Sequence, residues 1–137
     1  MTKRILCPTD GTDHATHAVE VAADLAQKYG AELMLCVVNV AYGGGRGPLI
    51  HHWTDAEAQN ILDGAYATAK AHGLTPTGTA ILIDREAANG IVAYAGMNKV
   101  DHIVIGTGDK RGLSRLMLGS VAADVASRAH CTVTIAR

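Results

Sequence analysis

Two short stretches of this chain carry groups suited to holding an anion. Pro8-Thr9-Asp10-Gly11 puts a hydroxyl and a carboxylate just past the apolar run Arg4-Ile5-Leu6-Cys7. Gly106-Thr107-Gly108-Asp109 follows another apolar run, and Gly119-Ser120-Val121 stands where a helix is predicted to begin. Glycines let main-chain amides approach a phosphate closely, and the unpaired N–H groups of a helix start point at it. Ser120 adds a hydroxyl donor beside those amides. Asp10 does not favour a bare phosphate, but it suits a divalent cation such as Mg bridging phosphates, or it accepts from a ribose hydroxyl. Turns also need glycine, so taken alone Gly106 to Gly119 reads equally as a loop and a helix cap.

Other residues have plainer readings beside their chemical ones. Lys110, Arg111 and Arg115 could steer phosphates, or they are solvated loop charge. His14 and His17 stand three apart at the start of a predicted helix and could share a metal; the commoner role for such a pair is surface histidine. His51-His52-Trp53 could fold over a ligand, pack on a partner, or anchor a loop. No Ser-His-Asp or Cys-His arrangement has motif context, so nothing identifies a nucleophile and no catalytic residue is assigned.

The elements that must position these groups follow from periodicity. After the first strand, Ala15, Ala18, Val19, Ala22, Leu25 and Ala26 recur at helical spacing, and Gly30 supplies a stop. Glu32 to Val40 reads as a strand covered on both faces. The segment Ala41 to Trp53, with Gly43-Gly44-Gly45-Arg46-Gly47-Pro48 inside it, reads as a mobile surface loop. Thr54-Asp55-Ala56-Glu57 has capping-box spacing and opens a second helix that closes near Gly73. A third strand, Thr79 to Ile83, leads through a capping Asp84 to a helix carrying Ala88, Ile91, Val92 and Ala95. Val100 to Ile105 is the fourth strand; a helix with Val121, Val125 and Ala129 and a strand, Thr132 to Ile135, close the chain. Strict strand–helix alternation predicts one α/β domain over 1–137, an open five-stranded parallel sheet with helices on both faces. Two strand orders, 3-2-1-4-5 and 2-1-3-4-5, fit the local pattern. In the first, the loops after strands one and four are neighbours at the switch point, where open sheets bind ligands.

Ile5-Leu6-Cys7-Pro8-Thr9-Asp10-Gly11 resembles the opening of universal stress proteins, and Gly112-Leu113-Ser114-Arg115-Leu116-Met117-Leu118-Gly119-Ser120-Val121 resembles that family's loop into its last helix. Length and element order agree over the whole chain. The resemblance implies a Rossmann-like sheet in the order 3-2-1-4-5, with an adenine nucleotide, ATP or AMP, between strands one and four in the nucleotide-binding branch. On that reading Pro8, Thr9 and Asp10 border the site, and Asp10 reaches the ribose or a Mg ion carried by the nucleotide. Val37 meets the adenine through its backbone, Ile105, Gly106 and Thr107 line the phosphates, and Gly119, Ser120 and Val121 close on them. The binding branch carries Gly-x-x-Gly, nine residues, then Gly-Ser; here Gly106, Gly119 and Ser120 match, but Asp109 stands where the second glycine belongs and Gly108 is one place early. A carboxylate there repels phosphate oxygens. Three outcomes stay open: Gly108 reshapes the loop and turns Asp109 away, a metal bridges it to the phosphates, or the ligand has fewer phosphates or none. The last leads to the alternative of an interaction module with an empty pocket, and a slow ATPase is a third reading. The family also implies a homodimer, here through Thr132 to Ile135, and a regulatory role in stress response.

Composition bounds the rest. A chain of 137 residues with 48% apolar side chains can bury a core, built without Phe from Ala, Val, Ile and Leu. A net charge of −1 gives no reason to expect nucleic acid or an anionic membrane as partner. No signal peptide is visible and no apolar run approaches the roughly 20 residues a bilayer needs, so a cytoplasmic location is expected. Cys7, Cys36 and Cys131 each fall in a strand-like run and are expected buried, reduced and unpaired.

Overall fold

The computed structural model describes residues 2–108 and 118–137. Its elements run β1 (Arg4–Pro8), α1 (Asp13–Tyr29), β2 (Glu32–Gly43), β3 (Leu49–His51), α2 (Asp55–Ala71), β4 (Gly78–Asp84), α3 (Ala87–Met97), β5 (His102–Gly106), α4 (Ser120–Arg128) and β6 (Thr132–Ala136). Five strands pair in parallel as β4-β2-β1-β5-β6, which is the order 3-2-1-4-5 when the parallel strands alone are counted. The sheet winds outward from β1 in one direction through β2 and β4, and in the other through β5 and β6.

Strand side chains alternate between two apolar layers. Ile5, Cys7, Leu33, Leu35, Val37 and Val104 pack with the helices α1 and α2. Leu6, Cys36, Val38, Ile103 and Ile105 pack with α3 and α4. The side of α1 turned to the sheet is largely alanine (Ala15, Ala18, Ala22, Ala23 and Ala26 with Val19), so the helix sits close and carries its first residues to the end of β1. Thr12 caps it by accepting from Ala15 N. Thr54 and Glu57 make the expected capping box on α2, which buries Ala58, Leu62, Ala65 and Ala69.

Four details differ from the sequence reading. The segment after Val40 is not all loop: β2 runs on to Gly43, and Leu49–His51 return antiparallel to it as a sixth strand. Gly43 and Gly44, both at positive φ (80° and 87°), make the reversal, and Gly44 N donates to Pro48 O. The return is pinned from below: fully buried Asn39 donates to Trp53 O and accepts from Trp53 N, both at 2.8 Å, so Trp53 is an anchor. Second, the N-cap of α3 is Glu86 without a side-chain cap; Asp84 instead accepts from Glu86 N and Asn89 Nδ2. Third, α4 stops at Arg128, and Ala129 caps it. Fourth, Cys7 and Cys36 are buried, whereas Cys131 lies just before β6 and is half-buried.

Candidate functional site

At the carboxyl ends of β1 and β5, the neighbours between which the winding reverses, lies an open cavity of about 290 Å³. Pro8, Thr9 and Asp10 border it from the β1 side. Ile105, Gly106 and Thr107 do so from the β5 side, and Gly119, Ser120 and Val121 from the start of α4. Val37 does not line it. Alternation along β2 sends Val37 into the layer under α1 and α2, and its neighbour Val38 borders the cavity instead. Asp109, with Lys110, Arg111 and Arg115, lies outside the described residues.

Local geometry explains why the loops sit as they do. Thr9 N donates to Cys36 O at 2.8 Å, which ties the exit of β1 to β2. Asp10 Oδ1 then accepts from Thr12 N at 3.0 Å and from Thr12 Oγ1 at 2.6 Å, so the carboxylate orders the very residue that caps α1. Asp10 stays exposed, and among the described residues its Oδ2 takes no hydrogen bond. On the other side Thr107 is buried, and Gly119 N donates to Thr107 O at 2.7 Å, so the chain leaves and re-enters the site through one closed neck. That neck needs glycine. A Cβ on Gly119 would lie 2.6 Å from Thr107 O, and one on Gly106 would lie 2.7 Å from His14 O.

Three helices begin at this cavity, represented by His14 and Ala15 of α1, Ala87 of α3, and Ser120 to Ala122 of α4. Each start carries roughly half a positive charge, and the sum favours an anion. The first turn of α1 is satisfied by Thr12, but neither α3 nor α4 has a side-chain cap, leaving their first amides for water or a ligand. Val38, Ala87, Ile91 and Ile105 add apolar lining to the cavity. The lining thus offers apolar surface suited to a flat ring and helix-start amides suited to an anionic group.

Sequence reasoning missed Val38, His14, Ala87 and Ile91 as lining residues. Val37 and Val38 are alike in type on a strand buried on both faces, so no pattern chose between them. Ala87 and Ile91 arrive only because α3 also starts at this edge of the sheet. His17 is exposed and does not line the cavity, so the two histidines do not act as a pair there. Among the described residues no group of three His, Cys, Asp or Glu side chains could hold a metal ion.

The universal stress protein family model matches residues 1–137. The chain belongs to the universal stress protein family. A universal stress protein of Methanocaldococcus jannaschii is 35% identical over 141 residues, covering 98% of this chain and 82% of that one. A universal stress protein of Thermus aquaticus is 35% identical over 140 residues, covering both chains completely. The crystal structure of a universal stress protein in complex with cAMP matches with a TM-score of 0.77 at 27% identity, over 98% of this chain and 95% of that one. The α/β fold with its mostly parallel sheet is that of universal stress proteins. Among the described residues no helix is long and apolar enough to cross a membrane.

Proposed function

We propose that this universal stress protein binds an adenine nucleotide in the cavity between β1 and β5 and acts as a cytoplasmic stress-response regulator in the form of a homodimer. The observation carrying this reading is the pairing of apolar lining with the uncapped start of α4 in one cavity. The ring enters against Val38, Ile91 and Ile105, Asp10 accepts from the ribose, and the amides at Gly119, Ser120 and Val121 take a phosphate. Binding of cAMP by a relative of the same family supports the ligand class. A cavity of about 290 Å³ is at the lower end of ligand sites, about 300–1,000 Å³, which favours a nucleotide with one phosphate inside. ATP would carry its further phosphates beyond the neck, and Mg would be held chiefly by those phosphates with Asp10 as a single protein oxygen. The unpaired thiols suit a reducing compartment. The open edge of β6, which pairs with β5 alone among the described residues, suits pairing with a second copy.

Calorimetry with AMP, cAMP and ATP, with and without Mg, tests the site. Asp10→Ala should weaken AMP about tenfold, the loss of about one charge-assisted hydrogen bond. Gly119→Val should abolish binding, because the neck cannot close over a side chain. Circular dichroism checks that both variants fold, since Asp10 also orders Thr12. Unchanged affinity in two folded variants would place the site elsewhere.

Asp109 favours a second reading, an interaction module of the same fold with no nucleotide. Wild-type protein that takes up none of the three nucleotides would support it. Steady phosphate release from ATP would point instead to slow hydrolysis.

A further inference from the structure

Thr12 borders the cavity beside Asp10, yet its hydroxyl has little left to offer a ligand. The single hydroxyl hydrogen goes to Asp10 Oδ1 at 2.6 Å, a length typical of an O–H donating to a carboxylate, and the same oxygen accepts from Ala15 N at 3.3 Å. Thr12 N donates to that Oδ1 as well, at 3.0 Å. One residue therefore gives two hydrogen bonds to one carboxylate oxygen, and among the described residues the other, Oδ2, takes none. Asp10 is exposed, and an exposed carboxylate held by nothing turns freely about its side-chain bonds. Two bonds from a half-buried neighbour, itself fixed at the start of α1, select one arrangement out of these.

We infer that Thr12 is a positioning residue: it pins Oδ1 of Asp10 and so leaves Oδ2 for the ligand's ribose hydroxyls. This rests on the nucleotide reading above, in which Asp10 accepts from the ribose. Thr12 acts through Asp10, lowering the ordering cost that the carboxylate would otherwise meet when a sugar binds. The same hydroxyl also caps α1, so its loss frays the helix start as well. The two roles separate by ligand. Fraying at α1 affects any nucleotide in the cavity, whereas a misdirected carboxylate affects only one with ribose hydroxyls to donate.

Calorimetry of AMP and of 2′,3′-dideoxy-AMP, which lacks both ribose hydroxyls, on wild type, Thr12→Val, Thr12→Ser and Asp10→Ala tests this. Wild type should bind AMP about tenfold more tightly than the dideoxy analogue, the worth of about one charge-assisted hydrogen bond. Thr12→Val, close in shape but without the hydroxyl, should lose about fivefold for AMP and less than about twofold for the analogue. Thr12→Ser should stay within about twofold of wild type for both. Adding Thr12→Val to Asp10→Ala should cost AMP less than about twofold more, because the group it positions is gone. Equal wild-type affinities for the two ligands, equal losses for both in Thr12→Val, a serine variant as weak as valine, or additive losses in the double variant would overturn the inference. The wild-type comparison stands whether or not the valine variant folds. Wild type that binds neither ligand would instead remove the nucleotide reading itself, and this inference with it.

Discussion

Cys7 and Cys36 occupy adjacent strands, yet alternation puts their side chains in opposite layers of the core. Burial pushes the Cys36 thiol up to about 12, and burial followed by the nearby Cys36 raises Cys7 as well. Cys131 is also raised, by burial and then by Asp101, but it is only half-buried. At pH 8 a thiol with a pKa near 12 is thiolate in about one molecule in ten thousand, and only the thiolate attacks a disulfide reagent. One thiol per native chain, Cys131, should therefore react with an aromatic disulfide, and the other two only after unfolding. Mass spectrometry of the labelled peptides reads this directly; Cys7 or Cys36 reacting as fast as Cys131 would contradict the packing. All three cysteines look alike as members of apolar runs. What distinguishes Cys131 is that it precedes an edge strand, and edge position is not a property of local sequence.

The contact between α1 and β5 is the junction on which the cavity depends. At Gly106 the carbonyl of His14 occupies the space a side chain would need. Gly106→Ala must push α1 away from the end of β5 or distort the strand, a cost of about 1–3 kcal/mol for overpacking. Gly64, inside α2, has nothing within 4 Å of an added Cβ. Gly64→Ala should instead stabilise by about 0.5–1 kcal/mol through helix propensity. Urea unfolding of the two variants should therefore shift in opposite directions, and a neutral Gly106→Ala would mean that the junction is loose. The same contrast shows what was legible at this scale. Both residues are glycines in plausible elements, and only the packed neighbour tells a required glycine from a dispensable one. The hairpin of β2 and β3 makes a similar point. A glycine run reads as irregular, but Asn39 far back on β2 reaches Trp53 and fixes where the chain returns.

At the scale of the molecule, β6 pairs with β5 alone among the described residues, with Thr132 and Val133 opposite His102 and Ile103. An open edge invites a copy of itself, and a strand pairing across a two-fold axis would satisfy its main-chain groups. Light scattering at tens of micromolar should give the mass of two chains. Val133→Pro, which removes an amide from that strand, should shift the mass toward one chain while circular dichroism stays native. A wild type of single-chain mass across that range would end the proposal. The proposed nucleotide site lies at the strand ends, so on that proposal monomeric variants should keep AMP affinity.

Local pattern determined the alternation of strands and helices, the capping box at Thr54, and the class of sheet, because each depends on residues within one turn or one strand of each other. Motif resemblance added the strand order, which local pattern left open between two choices. Tertiary structure decided which of Val37 and Val38 borders the cavity, that α3 joins α1 and α4 at its rim, and that His14 but not His17 reaches it. These depend on the face each strand residue takes and on how closely alanine lets α1 approach the sheet. Both are set by packing between elements far apart in the chain, where residue type alone carries no choice.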